Sequence, residues 1–321
     1  MTKGLQSAAA FAPGGVGNIG PGLDILGLAL DGPGDTVLAE WTDRPGIEIR
    51  DPGHPDLPTD AGRHTAGLAA SSVLDRAGGE PWQGKGITLT VTKGLPLSGG
   101  QGGSAASAVA GAVAVNALLG NLLDRPSLLR AALQAEEGVS GRHADNIAPA
   151  LLGGIVLIRS LDPLDLVELP VPDELRVVVA RPHQQLRTAE ARRVLPSHID
   201  RASALHQAAQ VGAMVAALAS GDYALLGRAI DDRIAEPVRA ALLPGFREAK
   251  QAAMAAGALG SSISGSGPTA FALVRGSTTG ERVAAAMSAA YAACGHQSDV
   301  RVAQIDRTGA RVLAGASRGT R

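Results

Sequence analysis

A glycine-rich loop that runs into an alanine-rich helix is the strongest chemical signal in the chain. The glycine loop (residues 96–104) reads PLSGGQGGS and continues as AASAVAGAVAVNALLG. Glycines allow a backbone to turn its amides toward one point, and the first amides of a helix have no partner within the helix. Such amides bind phosphate without a cationic side chain. The loop therefore predicts a nucleotide-phosphate site, although no lysine follows its last glycine as in the common phosphate loop.

The elements on either side of the glycine loop fit this interpretation. Residues 86–93 alternate Ile87, Leu89 and Val91 with threonines, a pattern typical of a strand. A helix is expected to follow the loop, and Ser104 can either cap that helix or reach a metal bound to the phosphates. A tight strand-to-helix turn without a ligand is the alternative.

A second glycine pattern, at residues 14–22, is less informative. Gly15, Gly17 and Gly20 spell G-x-G-x-x-G, and Glu40 stands where a dinucleotide-binding fold places its ribose acid. That fold needs a strand before the loop and a full helix after it. QSAAAFAP is expected to be a poor strand and LDILGLAL is too short for the helix, so we reject this interpretation.

Composition excludes several classes of protein. The length of 321 residues predicts one large domain or two ordinary ones, and a hydrophobic fraction of 45% is enough for a sizeable core. A net charge of −1 and 2% aromatic residues argue against nucleic acid as a partner. The single cysteine, Cys294, excludes a disulfide framework, and we expect it to be a small buried residue. Because no apolar run is long enough for a signal peptide or a membrane span, we expect a cytoplasmic protein without a membrane partner.

The order of elements predicts an α+β protein with two lobes. Strands and loops dominate residues 1–95, whereas the second half is more helical. Helices are expected at 126–137, at 197–222 with a serine cap and a closing glycine, and at 278–293. LRVVVARP is expected to be a strand buried on both faces, and SSISGSGPT to be a turn. A soft boundary between the lobes is expected within residues 155–185.

The glycine loop also resembles the motif of a known superfamily. The GHMP kinases (galactokinase, homoserine kinase, mevalonate kinase and phosphomevalonate kinase) carry a loop similar to P-L-x-x-G-L-G-S-S-A-A-S, where this chain has PLSGGQGGSAAS. Gln101 stands in place of the usual leucine and Gly103 in place of the first serine, whereas Ser104 keeps the second serine. These departures leave the backbone donors in place.

Five further segments resemble motifs of the same superfamily, in the superfamily's order. They are APGGVGNIGPGLDILGLAL, EEGVSGRHADNIAPALLGGI, RTAEARRVLP, IAEPVRAALLPGF and SGSGPTAFAL. Together with the glycine loop they span residues 12–273. Ordered agreement of this kind is more specific than any single glycine loop, and within the superfamily the resemblance is to the homoserine kinases.

The resemblance implies a two-lobed GHMP kinase fold, with an N-terminal mixed β/α nucleotide-binding domain (1–165) and a C-terminal α/β sandwich domain (166–321). It implies ATP and Mg²⁺, L-homoserine as the acceptor in threonine biosynthesis, and a homodimer. Ser104 and Glu136 are expected to hold the magnesium, with Glu137 as the alternative to Glu136. The residues expected to bind the nucleotide are Pro96, Leu97, Ser98, Gly99, Gly100, Gln101, Gly102, Gly103, Ser104, Ala105, Ala106, Ser107, Gly265 and Gly267.

The same resemblance implies an acceptor site. An amino-acid carboxylate needs cations, and Arg192 and Arg239 are the candidates because a guanidinium binds a carboxylate through two hydrogen bonds. The ammonium group needs carboxylate or amide oxygens, which Asp24 and Asn18 offer. The resemblance also implies that His143 and Thr188 bind the substrate. It implies that Asp145 and Asn146 act in catalysis together with Arg192.

Plainer roles remain open for several of these residues. The alternatives are a helix cap for Asp24, caps of the helix IAPALLGG for Asp145 and Asn146, and a structural role for His143.

We expect phosphoryl transfer without a strong general base, because positioning and charge stabilisation carry most of this reaction. The alternative functions are another GHMP kinase acting on a different small alcohol, and a nucleotide-binding regulatory protein without catalysis.

Overall fold

The structure, a computed structural model, describes residues 5–78, 84–139 and 141–314. Within them the strands are β1 (Ser7–Gly17), β2 (Leu26–Thr42), β3 (Gly46–Asp51), β4 (Gly86–Thr92), β5 (Ile155–Leu161), β6 (Leu164–Leu169), β7 (Leu175–Pro182), β8 (Gly260–Ile263), β9 (Ala270–Arg275), β10 (Ser298–Ala303) and β11 (Arg311–Val312). The helices are α1 (Thr65–Arg76), α2 (Gly103–Leu118), α3 (Arg125–Glu137), α4 (Ile147–Leu152), α5 (Thr188–Arg193), α6 (Arg201–Ser220), α7 (Tyr223–Ala229), α8 (Glu236–Arg239), α9 (Phe246–Ala255) and α10 (Ser277–Ala293), and a 3₁₀ turn covers Ala240–Leu242.

The first sheet carries the glycine loop. Among the described residues it has seven strands, in the order β11-β1-β2-β4-β3, with β5 paired to β2 and β6 to β5. Helix α2 lies against β1 and β2, and nearly all of its residues are buried. A Cβ on Gly111 would lie 3.0 Å from the backbone of α1, so the small residues of α2 are needed for this close packing. The packing fixes the N-terminus of α2 beside the end of β4.

The second sheet has the order β10-β7-β9-β8 and is antiparallel throughout. Val177 of β7 faces one core together with Met214 of α6, and Val178 faces another core together with α9 and α10. Strand β7 is therefore buried on both faces, as LRVVVARP predicts. The first of these cores also contains Leu28 of β2, so it joins the two sheets.

Strand β1 is the main departure from the predicted elements. QSAAAFAP, expected to be a poor strand, forms most of β1 between β2 and β11, and Ala8, Ala10 and Ala12 alternate into the core. Alanine is a weak strand former, but strand preference depends on packing, and only small side chains fit beneath α2. LDILGLAL continues from a turn into β2. The first two glycines of the G-x-G-x-x-G pattern thus lie within β1, and the pattern leads into β2. The missing helix after the pattern is what excludes a dinucleotide site.

The start of α6 and the exposure of Cys294 also differ from the prediction. Helix α6 begins after Asp200, whose carboxylate accepts a hydrogen bond from the Ser203 amide at 2.9 Å, so this aspartate is the cap in place of Ser197. Gly221 closes the helix with a φ of 69°, as expected of a C-terminal glycine. Cys294 is exposed rather than buried, because it follows the last turn of α10 at the surface.

The chain leaves the first sheet after β6 and enters the second at β7. The division predicted at residues 165/166 lies within β6 and stays a prediction. Strand β11 returns to pair with β1, so the described C-terminal residues complete the first sheet. In the described ranges, no helix combines the length and the hydropathy needed to cross a membrane.

Candidate active site

The glycine loop connects β4 to α2 and is held by the turn at residues 264–269. Ser264 Oγ donates to the Gly100 carbonyl at 2.6 Å, and the Gly15 amide donates to the Gln101 carbonyl at 3.1 Å. Gly100 has a φ of 74°, and a Cβ there would lie 2.7 Å from a carbonyl oxygen of the turn. The carbonyls of the loop are therefore bound inside the fold, and this position has no room for a side chain.

The turn at residues 264–269 is shorter than the sequence suggests. SSISGSGPT was expected to turn throughout, but its first residues belong to β8, where they pair with β9. Gly265 and Gly267 have φ of 56° and 85°, conformations that favour glycine. Thr269 Oγ1 donates to the carbonyl of Gly99. The turn and the glycine loop therefore form one unit, assembled from both lobes.

Ser104 lies in the first turn of α2 without capping it. The N-cap residue is Gly102, with a φ of 72°, and no side chain of the described residues caps this helix. Ser104 Oγ instead donates to Oε1 of Glu136, in α3, at 2.7 Å. The amides at the start of α2 thus lack a side-chain acceptor, which is the condition for an anion site at a helix N-terminus.

The same pair of side chains suits a magnesium ion. Glu136 is buried beside Ser104, whereas Glu137 is exposed. Mg²⁺ prefers oxygen ligands, and it takes one or two carboxylates together with phosphate oxygens and water. Within the described residues, no group of three His, Cys, Asp or Glu side chains could hold a metal alone. The donor set fits a metal that arrives with the phosphates.

A buried ion pair beneath the glycine loop was missed in the sequence. Lys93, directly after β4, pairs with Asp35 of β2, and its Nζ also donates to the Gly103 carbonyl at 2.9 Å and to Ser107 Oγ at 3.0 Å. Asp35 Oδ1 accepts from the Gly94 amide at 3.1 Å. The network joins the two ends of the loop. The signal that could have revealed it was Asp35 at the start of DTVLAEW, a charged residue ahead of the apolar Val37, Leu38 and Ala39.

The charged pocket (Asn18, Asp24, His143, Arg192 and Arg239) brings together four segments that are far apart in the sequence. Arg192 binds the Asp24 carboxylate with both terminal nitrogens, at 2.8 Å and 3.3 Å. His143 Nδ1 lies 3.4 Å from Asp24 Oδ1. Burial lowers the pKa of His143, although the nearby Asp24 carboxylate acts in the opposite direction. The lowered pKa favours the neutral imidazole. Asp24 thus pairs with an arginine instead of capping a helix.

One carbonyl joins the two sides of the charged pocket. Asn18, with a φ of 70°, accepts the Asp24 amide at 3.0 Å and donates from Nδ2 to the Gly265 carbonyl at 2.8 Å. Arg239 is buried and donates from Nη1 to the same carbonyl at 2.9 Å, and from Nε to the main chain of α5 at 3.2 Å. Burial, followed by repulsion from Arg192, lowers the pKa of Arg239. The pocket is therefore preorganised.

Asp145 and Asn146 lie where the charged pocket meets the glycine loop. Burial, followed by repulsion from Asp24, raises the pKa of Asp145 to about 7, and its Oδ2 accepts the Asn18 amide at 3.2 Å. A Cβ on Gly102 would lie 2.9 Å from Asn146 Oδ1, so this side chain contacts the start of α2. Helix α4 takes no side-chain cap from the described residues, which excludes the capping alternative for both residues.

Thr188 and a cavity complete the surroundings of the site. Thr188 opens α5, and its Oγ1 lies 3.5 Å from Ser266 Oγ, in the turn at residues 264–269. A cavity of about 650 Å³ borders the first half of the glycine loop. Its lining includes Pro96 and Leu97 of the loop and Arg181 of β7. The cavity is thus framed by both lobes, next to the predicted phosphate site.

The sequence and the fold are similar to those of known kinases. Residues 64–154 match the family model for the GHMP kinases N terminal domain, and residues 214–293 match the one for GHMP kinases C terminal. A homoserine kinase of Chlorobium phaeovibrioides is 43% identical over 96% of this chain and 100% of that protein. A homoserine kinase of Arabidopsis thaliana is 41% identical over 97% of this chain and 86% of that protein.

A solved structure extends the similarity to three dimensions. The crystal structure of homoserine kinase from Cytophaga hutchinsonii has a TM-score of 0.91 and 42% identity, and covers 96% of this chain and 98% of that chain. The similarity therefore covers nearly the whole chain and its fold. It confirms the predicted two-domain α+β fold and the predicted class of enzyme, a kinase. The chain belongs to the homoserine kinase family of the GHMP kinases.

Proposed function

We propose that the chain transfers the γ-phosphoryl group of ATP to the side-chain hydroxyl of L-homoserine, giving O-phospho-L-homoserine. The position of Asn146 carries this proposal, because its side chain reaches both Gly17, next to the charged pocket, and Gly102, at the start of α2. A phosphate donor on the glycine loop and an amino acid in the charged pocket would meet there. The similar proteins named above are homoserine kinases, which supports this acceptor.

The donor side rests on main-chain groups. The amides of the glycine loop and of the first turn of α2 bind the phosphates, aided by the positive end of the helix dipole. The cavity beside Pro96 and Leu97 takes the base and ribose, with Arg181 as a polar contact. Ser104 and Glu136 hold the magnesium, which neutralises charge on the phosphates when it is bound.

The acceptor side rests on side-chain charges. A zwitterionic amino acid offers its carboxylate to Arg192 and Arg239 and its ammonium group to Asp24 and Asn18. Its binding replaces the ion pair between Arg192 and Asp24 with two complementary pairs. A sugar cannot satisfy these charges, so the pocket favours an amino acid over the other acceptors of GHMP kinases.

We infer that transfer proceeds without a strong general base. Asp145 is tied to the shape of the pocket through the Asn18 amide, and Asn146 and Arg192 position the hydroxyl and stabilise charge. The hydroxyl proton passes to an oxygen of the transferred group, as a loose transition state allows. In Asp145→Asn we expect kcat to fall by less than about a thousandfold, since a general base contributes roughly 10²–10⁴. A larger loss with KM unchanged would identify Asp145 as the base.

An ATP-coupled assay with four acceptors tests the proposed function. L-homoserine should be phosphorylated, and L-threonine, mevalonate and galactose should be poorer substrates because they lack the matching hydroxyl position or charges. Turnover of another acceptor in preference to L-homoserine would establish a different GHMP kinase. ATP binding without turnover of any acceptor would favour the regulatory protein.

We also propose that the product serves threonine biosynthesis and that the chain forms a homodimer. Leu205 on α6 is 64% exposed, and Ile199 just before the helix is also exposed. Burial of these side chains between two copies of the chain would remove apolar surface from water and so stabilise a dimer. Analytical ultracentrifugation should give twice the mass of one chain, and a single-chain mass would contradict the dimer.

A further inference from the structure

Gln207 is a buried polar residue on a helix that is otherwise largely exposed. Helix α6 buries few residues, and the others it buries (Met214, Ala217 and Leu218) are apolar. A buried side-chain amide is stable only when its donors and its acceptor are hydrogen-bonded. The partners of Gln207 therefore indicate what this residue does.

The amide of Gln207 is bound on every side. Its Nε2 donates to the Pro21 carbonyl at 2.7 Å and to Asp232 Oδ1 at 2.9 Å. Its Oε1 accepts from the Arg233 amide at 3.2 Å. Pro21 lies between Asn18 and Asp24, so one of these hydrogen bonds holds the segment that supplies the anionic side of the charged pocket.

Asp232, the second partner, holds the cationic side. Its Oδ1 accepts the amides of Ile234 at 2.8 Å and Ala235 at 3.1 Å, and its Oδ2 accepts the amide of Glu236 at 2.8 Å. These amides lead into α8, the short helix that ends with Arg239. A buried carboxylate bound to three main-chain amides fixes the direction in which such a helix starts.

The contacts close into a ring. From Pro21 it runs through Gln207 and Asp232 to α8 and Arg239, and then through the Gly265 carbonyl to Asn18. Each link is a hydrogen bond or a short stretch of chain. Without Gln207 the ring is open opposite Gly265, and the two sides of the charged pocket are no longer tied to each other there.

We propose that Gln207 and Asp232 are positioning residues that set the width of the charged pocket, and so its fit to an amino acid of one length. Neither touches the acceptor; they act through Pro21 and Arg239. The inference rests on the proposed function for its kinetic consequence, although the ring itself is independent of the substrate.

The test compares two glutamine substitutions on α6 in the full chain. Gln207→Met keeps the length of the side chain but removes all three hydrogen bonds. Gln210→Met, three residues further on, is the matched control, because within the described ranges Gln210 makes no side-chain hydrogen bond. We expect KM for L-homoserine to rise at least tenfold in Gln207→Met, with KM for ATP within about twofold, and we expect no change of either KM in the control. Equal KM values in both variants, or a parallel rise of both KM values, would overturn the inference.

Hydrogen exchange separates this inference from the proposed function. Gln207→Met should speed amide exchange in residues 18–24 and 234–239 and leave exchange in the glycine loop unchanged. If the unmodified chain does not phosphorylate L-homoserine, the proposed function fails and exchange still decides whether the ring exists. Should Gln207→Met not fold, Gln207→Asn shortens the reach to Pro21 with less loss of polarity. Unchanged exchange in both segments would overturn the inference.

Discussion

The glycine loop and the charged pocket adjoin each other, yet they are built from different parts of the chain. In the glycine loop the main chain makes the contacts: carbonyls of Gly99, Gly100 and Gln101 are bound by the surrounding fold. In the charged pocket, side chains contact each other and the main-chain carbonyls of Ala191 and Gly265. A site built from main chain tolerates changes of side chain provided that the backbone keeps its path. A site built from opposite charges tolerates few changes.

Breaking the ion pair beneath the glycine loop should have the largest effect. In Lys93→Met the Asp35 carboxylate stays buried without its ammonium partner, and removing one partner of a buried pair costs about 3–5 kcal/mol. We expect the free energy of unfolding to fall by this amount in denaturant titrations. Lys85→Met, at an exposed lysine, is the control. A loss below about 1 kcal/mol would mean that the main chain holds the loop without side-chain help.

The charged pocket should make stability depend on pH through Asp145. Its pKa rises from 3.8 to about 7 on folding, so the folded chain binds a proton that the unfolded chain releases between these values. This contribution is fully present below about pH 4 and is lost as the pH rises through about 7. At about 1.36 kcal/mol per pH unit, the window corresponds to at most about 4 kcal/mol.

Asp145→Asn removes this titrating group, so the free energy of unfolding of the variant should fall less between pH 4 and 7 than that of the unmodified chain. Denaturant titrations at several pH values measure the difference between the two curves. If the free energy of unfolding fell equally with pH in the variant and in the unmodified chain, the pKa of Asp145 would not be raised on folding. The charged pocket would then not make stability depend on pH through Asp145.

Removing one guanidinium should damage the acceptor side alone. In Arg192→Met, Asp24 loses its bidentate partner and the acceptor carboxylate loses a cation, which we expect to cost about 3 kcal/mol. This corresponds to a loss of roughly a hundredfold in kcat/KM for L-homoserine, with KM for ATP nearly unchanged. Arg193→Met is the matched control, because the next residue of α5 is exposed. An equal rise of KM for ATP would mean that the two sites are not separable.

Two glycine substitutions in the loop should have the smallest effects and should differ from each other. At Gly103 a Cβ would meet nothing closer than 3.4 Å, so Gly103→Ser should change KM for ATP by less than about threefold. At Gly100 the φ is 74° and a Cβ would lie 2.7 Å from a backbone atom, so Gly100→Ala should raise KM for ATP roughly tenfold. An equal change of KM for ATP in both variants would contradict the conclusion that phosphate binding depends on the backbone path of the loop.

The two regions also differ in what the sequence reveals. The glycine loop could be predicted because its signal is local: the glycines, the preceding strand and the start of α2 lie within about thirty residues of one another. The charged pocket could not be predicted from spacing. Asn18, His143, Arg192 and Arg239 are distant along the chain, and only the resemblance to known kinases placed them in one site.

The misses have a common physical cause. Ala8, Ala10 and Ala12 have little preference for a strand, and the space left beneath α2 decides their conformation. The partners of Lys93 come from β2 and from α2, so the role of this lysine is settled by strand pairing rather than by its neighbours in sequence. Tertiary packing overrides local preference in each of these cases.

The turn at residues 264–269 belongs to both regions. The Ser264 hydroxyl holds the glycine loop at Gly100, and the carbonyl of the following residue, Gly265, binds Asn18 and Arg239. We therefore expect a displacement of this turn to alter both sites at once, which would link the binding of the two substrates thermodynamically. Such linkage is reciprocal, so each substrate would change the affinity for the other by the same factor. An affinity measured for one substrate alone is then not the affinity that operates during turnover.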